Sequence, residues 1–401
     1  MKSEIANYYH WFNEPDNVSI RISQEFREKM FKISLEKAKS MTNLSKFTGL
    51  SKQTLFNQKY GKSMNVKGLK KLLLFSDIKF TEVYGHIQEM GWNKFKLPIK
   101  LDGEEGAVVF AAILGDGSNT TRVMYKNKDQ ALLNKVEKSF KDLLGDAIVD
   151  KRISSTGIPY MNFPRITGRI LNFVGIPSGK QMIFNPEIPK VVKFAEKNVK
   201  RAFIQQFFDD EGWPEPDQMK VAASQCADVT VVLNKEFIDS IKGKKVIYLK
   251  DIPLEVRKEI EAPRLLIDLK DILKEDFDID SNIRFKRLLV RKNHITGAFE
   301  LEIYRKDDVK KFFEEINFYS PVKRKKLEFM INRSRNFPPN IMLLIINESI
   351  KLSKNKEYFL ACEIAKSLNF SQPAIRKRLS TLVKKGVFDK KGEKYFMKIE
   401  F

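Results

Sequence analysis

Two stretches of the chain share one rhythm, a mainly apolar, helix-like run that closes on an acid and a glycine. The first, VVFAAILGDGS, begins at Val108, and the second, RAFIQQFFDDEGW, begins at Arg201. Each run has the length of a buried helix, and a glycine stops it. Asp116 and Glu211 stand at the two ends, 95 residues apart. One apolar run ending in Asp-Gly is ordinarily a turn; two of them, followed by comparable material, predict a duplicated device. After the first come a strand in TTRVMYKN, a helix in DQALLNKVEKSFKDLLG, strands in DAIVDKRISS and IPYMNFPR, and a helix near GRILNFVGI. After the second come MKVAASQ, a helix in APRLLIDLKDILKEDF, strands in NIRFKRLLVRKN and GAFELEIYR, and a helix in KDDVKKFFEEINF. The pattern predicts an α+β core of two halves, each of about one hundred residues.

Helical patterns flank this core. In NLSKFTGLSKQTLFNQKYGKSMNVKGLKKLLLF, residues Leu44, Phe47, Leu50, Leu55 and Tyr60 fit a short helix, a turn through Gly49 and a second helix capped by Ser51. The second helix is expected to expose Lys52, Gln53, Asn57 and Gln58, side chains that can read base edges or grip phosphates. This resembles the helix-turn-helix of phage-repressor-like domains, although small helical bundles of this shape also mediate protein contacts. Asn93 to Gly106 reads as a linker. In the tail, Ala361, Ile364, Ala365 and Leu368 mark one helix. A second helix is capped by Ser371, carries Pro373 in its first turn and buries Ile375, Leu379, Leu382 and Val383. Gln372, Arg376, Lys377 and Arg378 line or flank its outer face, and a two-stranded wing follows around Lys391-Gly392. That order is similar to the winged helix-turn-helix, whose second helix enters the major groove in DNA-bound relatives, while other winged helices only dimerise.

Charge sharpens the division. The chain of 401 residues carries a net charge of +22. Residues 1–100 hold 18 Lys and Arg against 9 Asp and Glu, residues 333–401 hold 15 against 6, and the 232 between them hold 40 against 36. Basic ends around a balanced centre suggest two polyanion-binding appendages on a core. The composition, 42% hydrophobic and 31% charged, is that of globular material. No apolar stretch is long enough to cross a bilayer, and MKSEIANYYHWFNEPDN is too polar for a secretory signal, so a cytoplasmic location is expected. Cys226 and Cys362, both among apolar neighbours, cannot frame a disulfide scaffold. His10, His86 and His294 are scattered, which argues against zinc and leaves a hard cation held by oxygen.

The nonamers VFAAILGDG (Val109 to Gly117) and IQQFFDDEG (Ile204 to Gly212), with GIPSGKQMIFNPEIPKVV between them, resemble the single-chain LAGLIDADG homing endonucleases, the last segment being typical of archaeal members. The resemblance covers roughly Gly106 to Ile331. It implies a pseudo-twofold saddle of two αββαββα-type repeats, with residues 1–98 as the N-terminal helix-turn-helix domain, 106–200 and 201–332 as the repeats, and 340–401 as the C-terminal winged helix. It implies a monomer that binds double-stranded DNA and hydrolyses both strands with Mg²⁺ or another divalent cation. The metal would be held by Asp116 and Glu211, with Gly115 and Asp210 beside them, the latter through its backbone carbonyl, and Asp209 would make structural hydrogen bonds. Lys180 and Lys323, with Lys325 as a rival, are the nearest matches to the family's active-site lysines. DNA would lie across the strands, against Arg122 and Lys126 in the first half and Arg284 and Lys286 in the second. The chain opens with Met and closes without His-Asn, which predicts a free-standing protein.

Elementary electrostatics agrees that the acids have a task. A helix carries partial negative charge at its carboxyl end, where a carboxylate is unwelcome, and two such ends brought together repel unless a cation lies between them. One motif position departs from the pattern. The third place, usually glycine, is Ala111 in one copy and Gln206 in the other, and glutamine there is expected to widen the seam or to require a polar partner. Two other classes stay open: a non-cleaving DNA-binding regulator built on the same core, and an RNA-splicing maturase.

Overall fold

The computed structural model describes residues 7–91, 93–179, 181–291, 294–332, 340–354 and 356–398. Its centre is two copies of one topology. In the first half a helix, Glu104–Leu114, leads into strands Gly117–Asn119 and Val123–Lys126. Helix Gln130–Leu144, strands Asp150–Ile153 and Pro159–Asn162, and helix Arg165–Phe173 follow. In the second half helix Lys197–Glu211 leads into strands Gly212–Glu215 and Lys220–Asp228. Helix Arg264–Phe277, strands Asn282–Val290 and Ile295–Ile303, and helix Lys306–Glu315 follow. Each antiparallel sheet has the spatial order first, second, fourth, third. The strands turn Val123, Tyr125, Val221, Ala223, Leu301 and Ile303 into the core beneath the helices, while on the other face of the second sheet Lys220, Ala222 and Glu302 are buried and Arg284 and Arg287 are exposed.

The halves differ by an insertion. Residues 229–263 have no counterpart in the first half, and their strand Val246–Tyr248 pairs with Asn282–Val290 as a fifth strand at the sheet's edge. This strand is absent from the sequence expectations, although Val246, Ile247 and Tyr248 are strand-forming residues; only Ile247 of the three is buried.

The N-terminal part contains the expected helices Met41–Thr48 and Lys52–Lys59, joined through Gly49 at φ +62°. Ser51 Oγ accepts the Thr54 N–H at 3.1 Å, capping the second helix. Three expectations fail here. The part is not purely helical: Ser19–Ile22, Met64–Asn65 and Ile87–Met90 form a three-stranded sheet. Phe47 and Tyr60 are 67% exposed, so the buried stripe consists of Leu44 and Leu55 with half-buried Leu50. Gln58 is buried instead of exposed; it packs against Gly68, where a Cβ would meet its amide nitrogen at 3.3 Å. The expected linker is ordered as well. Ile99–Lys100 pairs with Tyr8–Tyr9, and the Lys96 N–H donates to the Leu144 carbonyl at 3.0 Å. Arg169 salt-bridges the buried Glu14 at 2.5 Å, and Tyr9 meets Phe173 edge-on. One hydrophobic core therefore runs from Tyr9 to Met330, and the N-terminal part is built into it.

Residues 341–397 have a core of their own. The order is helix Ile341–Ser353, strand Phe359–Leu360, helices Ala361–Ser367 and Gln372–Lys384, then strands Phe388–Lys391 and Lys394–Met397 turning through Gly392. Ser371 occupies the cap position without a side-chain capping bond. Cys362 is exposed, contrary to the apolar setting expected from its neighbours, and Cys226 is half-buried.

Candidate functional site

The two motif helices pack side by side along their length. Close approach is built in at Gly115, where a Cβ would lie 2.7 Å from the Cβ of Asp210. The seam therefore sets Gly115 of one copy against the larger Asp210 of the other. At Gly212 a Cβ would strike the Phe208 carbonyl oxygen at 2.7 Å, so only glycine lets the chain leave the helix directly into the next strand.

Gln206 meets polar partners within the seam. It is fully buried, and its amide donates to Asp210 Oδ2 at 3.0 Å and to the Tyr125 hydroxyl oxygen at 3.3 Å. Tyr125 comes from the first half's second strand and donates its hydroxyl proton to Asp210 Oδ1 at 2.6 Å. The polar partner that glutamine requires thus comes from the other repeat. Asp210 spends its side chain here, which leaves its backbone carbonyl for any metal. Burial pushes its carboxyl well above the usual range, and the negative charges of Asp116 and Asp209 add to that, against the bonds from Tyr125 and Gln206.

Asn127, at the end of the same strand, donates to Asp116 Oδ2 at 2.9 Å, to the Tyr125 hydroxyl at 3.1 Å and to Asp210 Oδ1 at 3.2 Å. Sequence reasoning missed Asn127 and Tyr125. Their signal was faint: a polar residue closing a strand and an aromatic on its inward register, with nothing local to say that both meet the opposite helix.

Asp116 and Glu211 stand at corresponding ends of the paired helices. Burial pushes the Glu211 carboxyl up to about 7; the negative charge of Asp116 raises it further and Lys323 opposes the rise. Asp116 reaches solvent yet is crowded by protein at its sides, and this partial desolvation raises its carboxyl while Lys323 again opposes. Glu211 lines a cleft of about 390 Å³ with Gly115, Gly117, Ser224 and Cys226, so Asp116 is flanked on both sides by residues of the same cleft.

Lys323 lies in the first turn of helix Pro321–Asn332. Its ammonium donates to the Asp209 carbonyl, to the Gly212 carbonyl at 2.7 Å and, at 3.5 Å, to that of Phe208. It thereby takes up carbonyls that end the second motif helix and places a cation beside the acids. Burial pushes Lys323 down, and Asp209, Asp210, Asp116 and Glu211 hold it up. Asp209 fixes this helix start by accepting the Tyr319 and Ser320 N–H groups, each at 2.9 Å. Lys180 lies outside the described residues.

Oxygen donors suited to a hard cation are present as the desolvated carboxylate of Glu211, the partly desolvated one of Asp116 and the nearby backbone carbonyls, a set that Mg²⁺ can complete with water. Among the described residues no group of three or more His, Cys, Asp or Glu side chains gathers as a metal site.

The expected nucleic-acid contacts fall into two kinds. Arg122 is exposed just before the strand Val123–Lys126, Lys126 is half-buried at its end, and neither forms an ion pair among the described residues. Arg284 and Lys286 lie on the open face of the second sheet but are already engaged. Arg284 meets Glu302 at 2.9 Å, and Lys286 meets Glu300 at 2.9 Å and Glu302 at 3.3 Å. Buried Lys220 completes the network with Glu215, Glu300 and Glu302. Sequence alternation placed these cations on a face without showing that strand Ile295–Ile303 brings two glutamates to the same face. In the flanking parts, Lys52 and Gln53 are exposed, and Gln53 donates to the half-buried Asn57 at 3.3 Å. Gln372 is half-buried at the start of its helix, Lys377 is exposed, and Arg376 pairs with Glu393 of the turn at 3.1 Å.

No family model matches the chain, and no curated protein matches it. Solved structures that overlap it include mesophilic variants of the homing endonuclease I-DmoI, at 11% identity over 54% of this chain and 96% of that one, TM-score 0.32. The homing endonuclease I-WcaI bound to its DNA recognition sequence overlaps at 15% identity over 56% and 85%, TM-score 0.30. The N-terminal LAGLIDADG domain of WhiA overlaps at 12% identity over 58% and 86%, TM-score 0.29. Overlaps this loose carry no weight on activity.

Proposed function

We propose that the chain is a LAGLIDADG-type, site-specific double-strand DNA endonuclease that hydrolyses phosphodiesters with Mg²⁺. The observation that carries this reading is the convergence of Asp116 and Glu211 at one end of a tightly packed helix pair, Asp116 partly and Glu211 largely desolvated, with the charge of Asp116 raising Glu211. Repelling carboxylates at two helix ends are stable together when a divalent cation neutralises them. Mg²⁺ bound there would polarise phosphoryl oxygens and lower the pKa of a bound water. Asp116 and Glu211 would hold it, with the carbonyls of Gly115 and Asp210. Asn127 orients Asp116, and Lys323 holds the end of the second helix and offsets the site's negative charge. The two sheets form the walls of a pseudo-twofold saddle, and the monomer needs no second copy. Arg122 and Lys126 are the open cations of the first wall. Lys52, Gln53 and Asn57 on one flank, and Gln372, Arg376 and Lys377 of a winged helix on the other, extend the bound site.

A second reading, a DNA-binding regulator that does not cut, draws on Asn127. Its amide satisfies Asp116 without metal, and the side-chain donor set stops at two carboxylates. Incubation with randomised duplex DNA and Mg²⁺ separates the two. Cuts that vanish in Asp116→Asn and in Glu211→Gln support the nuclease, protection without cuts supports the regulator, and preference for structured RNA rejects both in favour of a maturase.

A further inference from the structure

The insertion in the second half changes what that sheet can touch. Strand Val246–Tyr248 pairs antiparallel with Asn282–Val290, Ile247 opposite Leu288 and Tyr248 opposite Arg287. Ile247 and Leu288 are buried, so Tyr248 and Arg287 share the outer face. On that face one cross-strand row runs from Cys226 through Ala298 and Arg287 to Tyr248. Cys226 lines the cleft that holds Glu211. Three strand spacings of roughly 4.8 Å carry the row about 14 Å outward from the cleft, or roughly four base pairs at 3.4 Å each.

The edge strand is set in positive charge. Lys242, Lys244 and Lys245 precede it and Lys250 follows it, and the segment between Lys242 and Lys250 contains no acid. All four lysines are exposed, and none forms an ion pair among the described residues. Tyr248, 56% exposed, offers a hydroxyl of the kind that bonds phosphate oxygens. Nearer the cleft the cations of this face, Arg284, Lys286 and Lys220, are neutralised by glutamates, whereas Arg287, beside the edge strand, is exposed without an ion pair among the described residues. The first sheet ends one strand earlier, at Asp150–Ile153, where Arg152 is engaged by Asp150 at 2.7 Å. Lysines for solubility alone would be spread over the surface; these four bracket the one strand that the first half lacks.

Resting on the DNA-binding reading above, we infer that the segment Lys242–Lys250 is a phosphate-gripping extension of the second sheet, which lengthens the bound duplex on that side only. Its lysines act as point charges on the backbone, so the segment adds affinity and register without reading sequence.

The test uses the full chain in EDTA, with a duplex recovered by binding selection from a randomised pool. In the quadruple variant Lys242→Gln, Lys244→Gln, Lys245→Gln, Lys250→Gln, the slope of log K against log salt should fall by about 0.9 for each phosphate that the variant no longer neutralises, roughly two to four in all. The hydroxyl-radical footprint should shorten by about four base pairs on one flank. The melting temperature should hold, since the four side chains are exposed. A wild-type footprint and slope in the variant would overturn the inference while leaving DNA binding intact, as would equal shortening on both flanks. If selection recovers no duplex, or structured RNA competes it away, the DNA-binding reading fails and the extension fails with it.

Discussion

The two halves share helix order and strand order but handle charge in opposite ways. In the first, Arg122 and Lys126 stand without ion pairs among the described residues, and the acid Asp116 is held by a hydrogen bond from Asn127. In the second, the open face is crossed by a neutral network of Glu215, Glu300, Glu302, Lys220, Arg284 and Lys286, and cations without an ion pair among the described residues reappear toward the added edge, at Arg287 and the lysines around Val246–Tyr248. The two halves keep one scaffold, which brings two acids together, while the surfaces that would meet a ligand differ. Topology is therefore a guide to the centre of the molecule and a poor guide to its walls.

The largest effect is expected at the shared centre. Asp116→Asn or Glu211→Gln should each bring cleavage below about 1% of the wild-type rate, at least about 2.7 kcal/mol of barrier, scored on a selected target with Mg²⁺. Equal losses would make the halves equivalent at the site, whereas loss in one variant alone would show that one half does the work.

Next comes pH. The folded protein holds a proton on Glu211 up to about 7, whereas the unfolded chain releases it near 4.5. Stability from this group is full below pH 4.5 and is lost as pH rises through about 7, a change on the order of 3 kcal/mol. Denaturant unfolding of the metal-free protein should show that fall, and Mg²⁺ should reduce it by binding the ionised form. A stability that rises over the same interval would contradict the assigned environment.

At the seam, Gly115→Ala should destabilise the fold by about 1–3 kcal/mol through overpacking against Asp210, read from the shift in urea midpoint. Asp210→Gly alone should also destabilise, since Tyr125, Gln206 and Asn127 lose their acceptor, and the two losses should be less than additive in the double variant because the clash is between those two residues. The smallest effects belong to the walls. Arg122→Gln with Lys126→Gln should lower the salt slope of duplex binding by up to about 1.8. Arg284→Gln with Lys286→Gln should scarcely move that slope and should cost about 1 kcal/mol of stability, since these partly exposed cations balance Glu302. A larger slope change in the second pair would reverse the contrast between the walls.

Much of the centre was legible in the sequence because its signals are local. An apolar run, an acid and a glycine mark each motif helix, and period-two alternation marks the strands on either side. What escaped was decided by residues distant in the chain. The setting of Gln206 is fixed by Tyr125, 81 residues away. The pairing of Arg284 and Lys286 is fixed by glutamates on a neighbouring strand, and the burial of Gln58 by Gly68 of the next helix. The ordered strand at Ile99–Lys100 was hidden because its partner, Tyr8–Tyr9, lies near the other end of the N-terminal part. Polar side chains carry little information about their partners until topology brings those partners near.

The most direct test of the central claim is Mn²⁺ binding, followed by electron paramagnetic resonance, in wild-type protein, Asp116→Asn and Glu211→Gln. If the two acids hold one divalent centre together, the wild type binds and each single variant weakens binding by tenfold or more. Binding that is unchanged in both variants, or lost in only one of them, would contradict a shared cation between the helix ends.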